Sequence, residues 1–554
     1  MRLSRRILLA SSASATAASA VPAVAWAQSR RHPTLDADPF NLGVASGDPE
    51  PDGVVLWTRL AVHPLAEDGM GGMPNGSVDV RWEVATDERF RRRVASGRYE
   101  TGPEIGYSVH IEVEGLEPGR EYYYRFRTGR WVSPVGRTRT APPLGSIPAE
   151  LRMAFASCSQ YEHGYFTAYR HLAESNPDLV LHLGDYQYEY KAGVYLSPDG
   201  NVRDHEGPET VSLATYRQRH AQYKTDPDLQ AAHAVAPWLV VWDDHEVENN
   251  WADEVPESGS DTPEPEDFLR RREAAFKAYW ENMPLRRSSV PSGIDMQLYR
   301  RVQWGQLANF HMMDTRQYRD DQACGDGTQS NCADAWDESR TITGQEQEDW
   351  LIEGFHSSSA RWDLLGQQVF FTQRDAAAAE DDLRTSMDGW DGYAASRQRI
   401  IDGWVEAEVR NPVVLTGDVH THWAGEILPD FPAAQGASVG VELVASSITS
   451  GGNGVDSVPE DNAALVINPH IKFRNAQRGY VETVIGPDQM DVHFRVVPQV
   501  TVQGAPVYTR RSYSVVDGDR TLHQTYDRPV DPATMSKDTG PFADSDELAD
   551  DFLN

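Results

Sequence analysis

Four apolar runs in this 554-residue chain stop at side chains that bind cations or carry protons. LVLHLGDYQYEY places Asp185 and Tyr188 just beyond one run, and VVWDDHEVENN places Asp243, Asp244, His245, Glu246, Asn249 and Asn250 beyond a second. VVLTGDVHTHW places Asp418, His420 and His422 beyond a third, and LRMAFASCSQ ends at Cys158. One aspartate after a strand is commonly a turn residue or a helix N-cap. A repeated pattern is different, because carboxylates gathered at the ends of buried strands are costly unless cations neutralise them. The chemistry these residue types point to is metal binding.

The elements that would position them alternate from about Leu151 onward. LRMAFASC is followed by the helix-like GYFTAYRHLAESN, then PDLVLHLGD, a helix near TYRQRHAQYK, WLVVWDDHE and a helix near EDFLRRREAAFKAYWENM. The apolar segment QQVFFTQ, a helix near SRQRIIDGWVEAEV and the strand PVVLTGDVH come later. This is α/β organisation with buried strands, and such folds gather ligand sites at the carboxyl ends of their strands. VETVIGP and QMDVHFRVV predict an antiparallel hairpin on one side.

Before this region, residues 40 to 140 read as short strands, with Val78, Val80, Trp82 and Val84 alternating onto one face. They predict a β-sandwich, and LEPGREYYYRF resembles the late-strand corner of fibronectin type III and other immunoglobulin-like domains. The Pro-rich APPLGSIPAE then marks a connection. The expected organisation is an export signal over residues 1–27, a β-sandwich over 36–142, an α/β catalytic domain over 150–525 and an acidic tail over 526–554.

At the N-terminus, Arg2, Arg5 and Arg6 precede an apolar, small-residue stretch, and Ala25-Trp26-Ala27 matches an A-x-A cleavage site. The paired arginines in SRRILL resemble the twin-arginine signal, which implies the twin-arginine export machinery as partner and a periplasmic or secreted destination. No other segment approaches the ~18 consecutive apolar residues of a membrane span. Of three cysteines, Cys324 and Cys332 sit in a polar loop at a spacing a local disulfide can close. Cys158 is left over: a buried, inert thiol or a bound one.

GDxxY, then an acidic residue followed by His, then GDVH resembles the metallophosphoesterase signature. In more detail, GVASGDPEPDGVVLWTRL, FASCSQ, GDYQYEY, WDDHEVENNWA, MDTRQYR, GDVHTHW and NPHIKFRNAQRGYV resemble alkaline phosphatase D, the PhoD family, from about Phe40 to Val500. The resemblance implies an exported phosphatase with a metallophosphoesterase-like α/β sandwich, acting on phosphate monoesters and diesters through metal-activated hydroxide at an iron and calcium centre. Carried over by motif, Asp185 would bridge the metals, Cys158, Tyr188 and His420 would bind Fe3+, and Asp244 and Asp418 would lie on the Ca2+ side. Donor softness agrees with that division. His245 would contact phosphate and serve catalysis with Asp185, while Asn249 and Asn250 are candidates for phosphate or calcium contact. Asp243 is either a further calcium ligand or an acceptor for His245, the second being favoured. His422 is either a ligand or a support for one, and Arg316 either reaches phosphate or pairs with a carboxylate.

Charge sharpens the expectation. At a formal net charge of -33 the whole-molecule field repels phosphate esters as well as nucleic acid, so local cations must reverse it at the site. The competing readings are a phosphodiesterase or phospholipase D-type hydrolase, and an exported binding module whose acidic loops hold structural calcium.

Overall fold

A computed structural model describes residues 35–377, 382–431, 436–456 and 463–529. The expected signal peptide, and the expected tail from residue 530 onward, lie outside the described residues.

The apolar runs become the fully buried strands Leu179–Leu183, Pro237–Val241 and Pro412–Thr416. Strands apolar on both faces belong in the middle of sheets covered on both sides. Leu179–Leu183 accordingly lies parallel between Leu151–Ala156 and Pro237–Val241 in a ten-stranded sheet. On one flank the hairpin Arg478–Ile485 and Gln489–Val497 pairs antiparallel onto Leu151–Ala156, followed by Tyr508–Val516 and His523–Asp527. A seven-stranded sheet carries Ala308–Met312, Trp362–Gly366, Pro412–Thr416 and Gly440–Val444 as parallel neighbours. One hydrophobic core joins the two sheets, with Leu181, Val240 and Phe494 from the first and Phe310, Val413 and Leu443 from the second.

Helices Thr167–Glu174, Leu213–Lys224, Pro265–Asn282 and Ala394–Glu406 fall where the sequence places helical stretches. QQVFFTQ is no strand; the strand is the preceding Trp362–Gly366, and Gln367 and Gln368 spend their side chains on loop hydrogen bonds instead. Among the described residues no helix is long and apolar enough to cross a membrane.

The N-terminal strands form two layers around their own core, which includes Val54, Leu56, Val80, Val84, Tyr122 and Phe126. One layer holds Val78–Ala85, Arg93–Thr101, Glu121–Thr128, Trp131–Val132 and Gly136–Arg139. The other layer is the end of the ten-stranded sheet: Val44–Glu50 pairs in parallel with Pro237–Val241, through Ser46 with Pro237 and Gly47 with Trp238. The β-sandwich therefore shares a sheet with the α/β region despite the Pro-rich connection. Periodicity shows that a strand exists; it does not show a partner some 190 residues away.

Candidate metal centre

Three chain turns converge because small residues allow it and strained ones hold it. Gly184, at φ +104°, brings the first loop so near the second that a Cβ there would stand 2.4 Å from that of Asp243. A Cβ on Gly417 would lie 2.7 Å from Ser157, so the third loop also needs glycine for its approach. Just beyond them Cys158, Asp185, Asp418 and His420 have φ values of 61°, 54°, 62° and 52°. Left-handed backbone at non-glycine residues costs on the order of 1–3 kcal/mol each and gathers at functional sites. Gly184→Ala is expected to destabilise the fold by roughly that amount and to lower metal occupancy, read by thermal denaturation of metal-free protein and by elemental analysis.

A buried carboxylate ties the first two loops together. Glu246 accepts the backbone N–H groups of Tyr186 at 2.6 Å, Asp243 at 2.8 Å and Asp185 at 3.1 Å. Burial nevertheless pushes its carboxyl up to about 8.

Around this frame the donors fall into two groups that share one residue. The sulfur of Cys158, a carboxylate oxygen of Asp185 and a ring nitrogen of His420 lie within 4.8 Å of one another; so do ligand atoms of Asp185, Asp244 and His245. Tyr188 donates its hydroxyl to Asp185 Oδ2 at 2.8 Å and stands 3.1 Å from His420 Nε2. Asp185, Asp244, His245, Asn249, Asn250, Asp418 and His420 line one cavity of about 420 Å³ together with Tyr190, Val194 and Tyr195. Asp418 faces that cavity but belongs to neither close group.

The electrostatics fit cations. Asp185 Oδ1 and Asp243 Oδ2 are buried with no hydrogen-bond partner among the described residues. Burial, then neighbouring carboxylates, push Asp418 well above the carboxylate range, and Asp185 rises likewise against the pull of His245. Burial and Asp185 also drive the Cys158 thiol and the Tyr188 phenol up. Such a set stays protonated until a cation replaces the protons, which is how thiolate, phenolate and carboxylate ligands load. Asp244 is the exception. Burial opposes its ionisation, but Arg316 and His245 outweigh it, as do the N–H groups of Asn250 at 2.8 Å and His245 at 3.0 Å, and hold the carboxyl below its ordinary value.

Family models match where this geometry leads. "PhoD-like phosphatase" covers residues 153–494, and "PhoD-like phosphatase, N-terminal domain" covers residues 25–142. The chain belongs to the PhoD-like phosphatase family. It is 49% identical over 519 residues to alkaline phosphatase D of Bacillus subtilis (strain 168), across 94% of this chain and 86% of that relative. A solved structure of PhoD superposes with a TM-score of 0.87 at 49% identity, over 90% of this chain and 94% of the other. Purple acid phosphatase 15 of Arabidopsis thaliana is 28% identical over 148 residues, 26% of this chain and 27% of that protein.

For a PhoD-like phosphatase, the structure corrects one expectation and closes two open ones. The partner of His245 is not Asp243 but Glu189, whose Oε2 lies 2.8 Å from His245 Nδ1. Asp243 is engaged elsewhere: Arg316 donates Nε to its Oδ1 at 2.6 Å and both Nη groups to Asp388, at 2.7 and 3.0 Å. Arg316 is thus a carboxylate partner, fully buried among three aspartates, with Asp244 Oδ2 at 3.7 Å from its Nη2. His422 turns away from the cavity, its Nδ1 accepting from Ser446 N at 2.9 Å and its ring packed on Phe494. Asn250 donates its amide to Asp326 at 3.0 Å, and Asn249 donates to Glu257 at 2.9 Å. Cys324 and Cys332 form a disulfide, and that loop carries Asp326. Sequence reasoning missed Glu189 and Asp388. Glu189 had a signal, an acid four residues past Asp185 in the same polar burst; Asp388 had none.

Proposed function

We propose that this chain is a phosphatase exported by the twin-arginine route, in which residues 150–525 carry the catalytic site and residues 36–142 the β-sandwich. Its substrates are phosphate esters, monoesters first and diesters second. The observation that carries the reading is one buried carboxylate, Asp185, whose ligand atoms lie within 4.8 Å of those of Cys158 and His420 and also of Asp244. Cys158, Tyr188 and His420 with Asp185 suit Fe3+, and Asp244 and Asp418 with Asp185 suit Ca2+. When bound, such a pair lowers the pKa of water and neutralises phosphoryl oxygens.

The chain's own residues supply the rest. His245 lines the cavity with Nδ1 fixed by Glu189, which leaves Nε2 to meet the substrate. Burial alone would lower its pKa, but Glu189, then Asp244 and Asp185, raise it well above the usual imidazole value. Such an imidazolium can hold a phosphoryl oxygen and pass the Nε2 proton to the leaving alkoxide oxygen as the P–O bond breaks. Asn249 and Asn250, which line the same cavity, would contact phosphate or calcium.

Elemental analysis of protein purified without added metal tests the reading, together with turnover of a chromogenic phosphate monoester beside a diester. Iron bound by phenolate and thiolate gives a visible charge-transfer colour; a colourless, calcium-only, inactive protein would leave the binding-module reading standing. Cys158→Ser is expected to weaken iron binding by ~10-fold or more, since even residues that merely support ligands cost that much, while calcium content stays. Metal titration with the visible spectrum as readout checks it.

A further inference from the structure

A second and larger cleft, of about 650 Å³, is lined by Arg374, Arg384, Trp423, Arg474 and Thr328 among others. In a chain of net charge -33 the default for an arginine is a carboxylate partner, and Arg374 and Arg384 depart from that default. Arg374 is held instead by two aromatic rings, its guanidinium carbon 5.1 Å from the Phe370 centroid and 5.5 Å from that of Trp423. Those rings brace each other edge to face at 5.6 Å. Arg474 approaches the same indole at 5.3 Å. Arg384 is exposed at the start of the strand Arg384–Ser386.

Among the described residues, no carboxylate lies within ion-pair distance of the side chains of Arg374 and Arg384. The acids of the cleft are engaged by other groups. Asp375 Oδ1 accepts the backbone N–H groups of Ala377 at 2.8 Å and Arg384 at 3.0 Å. Asp456 pairs with Arg510 at 2.8 Å and accepts from Asn475 Nδ2 at 2.7 Å. A guanidinium oriented by stacking keeps its N–H fork free for an oxyanion, the geometry that suits phosphate.

Two short chain segments tie the cleft to the reaction site. Trp423 follows His420 by three residues, at most ~11 Å of extended chain. Thr328 follows Asp326 by two, and Asp326 accepts the amide of Asn250, a wall of the catalytic cavity, at 3.0 Å. We propose that this cleft is a subsite for a second phosphoryl group carried by the same substrate, so that the preferred substrates bear two phosphates. The assignment rests on the phosphatase reading above.

The test compares hexane-1,6-diol bisphosphate with hexyl phosphate in wild type, in the double variant Arg374→Gln/Arg384→Gln and in Arg374→Lys. The expected result is a KM for the bisphosphate raised about tenfold or more in the double variant, the size of one lost charge-assisted contact, with kcat and the KM for hexyl phosphate within about twofold. Arg374→Lys, which keeps the charge without the planar fork, should fall between. Equal changes for both substrates, or none for either, overturn the subsite and leave the phosphatase reading intact. A wild type inert toward both sinks that reading and the subsite with it.

Discussion

Asp185→Asn is expected to abolish phosphatase activity and to empty both cation positions together. The reason is the sharing: Asp185 is the residue common to the group with Cys158 and His420 and to the group with Asp244 and His245. Its Oδ1 is buried with no hydrogen-bond partner among the described residues, and Oδ2 holds the Tyr188 hydroxyl at 2.8 Å. An amide is isosteric, so packing survives, but it removes the charge that the surrounding thiol, phenol and imidazole need in order to release protons to a metal. Uncatalysed phosphate-monoester hydrolysis is slow enough that accelerations reach ~10²¹, and a positioned acid or base contributes only ~10²–10⁴. Loss of the metals should therefore cost more than ~10⁴-fold in kcat, beyond what any proton-transfer residue can account for. Elemental analysis and single-turnover assays read the two effects separately. Full activity, or normal iron with calcium alone lost, would refute the shared-ligand arrangement.

How legible the site was in the sequence follows from what fixes each part of it. Asp185, Tyr188, Asp244 and His420 sit directly after buried strands, so strand periodicity and a burst of polar residues located them, and parallel pairing of Leu179–Leu183 with Pro237–Val241 put the first two loops side by side. Cys158 follows the same logic through Leu151–Ala156. The partners that hold these residues were hidden because they act through hydrogen bonds between distant segments. Arg316 and Asp388 are 72 residues apart, and no pattern pairs them. Glu246 looks in sequence like one more ligand in WDDHEVENN, yet it spends both oxygens on backbone N–H groups. The fused sheet was hidden for a related reason: Val44–Glu50 and Pro237–Val241 each read as ordinary strands, and their pairing is a property of the tertiary fold.

Glu189→Gln is expected to lower turnover of an alkyl phosphate by about 10²-fold or more while reducing that of 4-nitrophenyl phosphate far less. Glu189 is buried and uses both oxygens: Oε2 faces His245 Nδ1 at 2.8 Å, and Oε1 accepts the backbone N–H of Asn249 at 2.9 Å. A carboxylate satisfies two donors at once, whereas an amide offers one acceptor and one donor. While His245 Nδ1 stays protonated, either orientation of glutamine sets donor against donor at one of the two contacts, so the variant must give up the imidazolium or the loop that carries Asn249. Without the carboxylate charge His245 also loses the neighbour that does most to keep its ring protonated against burial. A hexyl alkoxide leaves only when its oxygen receives a proton, so that substrate feels the whole loss; nitrophenolate leaves readily unprotonated and feels little. Glu189→Asp, which keeps the charge at a shorter reach, should recover part of the alkyl-phosphate rate. Iron content should match wild type, because Glu189 lies outside the group of Cys158, Asp185 and His420. Equal losses on both substrates would make Glu189 a purely structural residue and remove proton donation from the role assigned to His245.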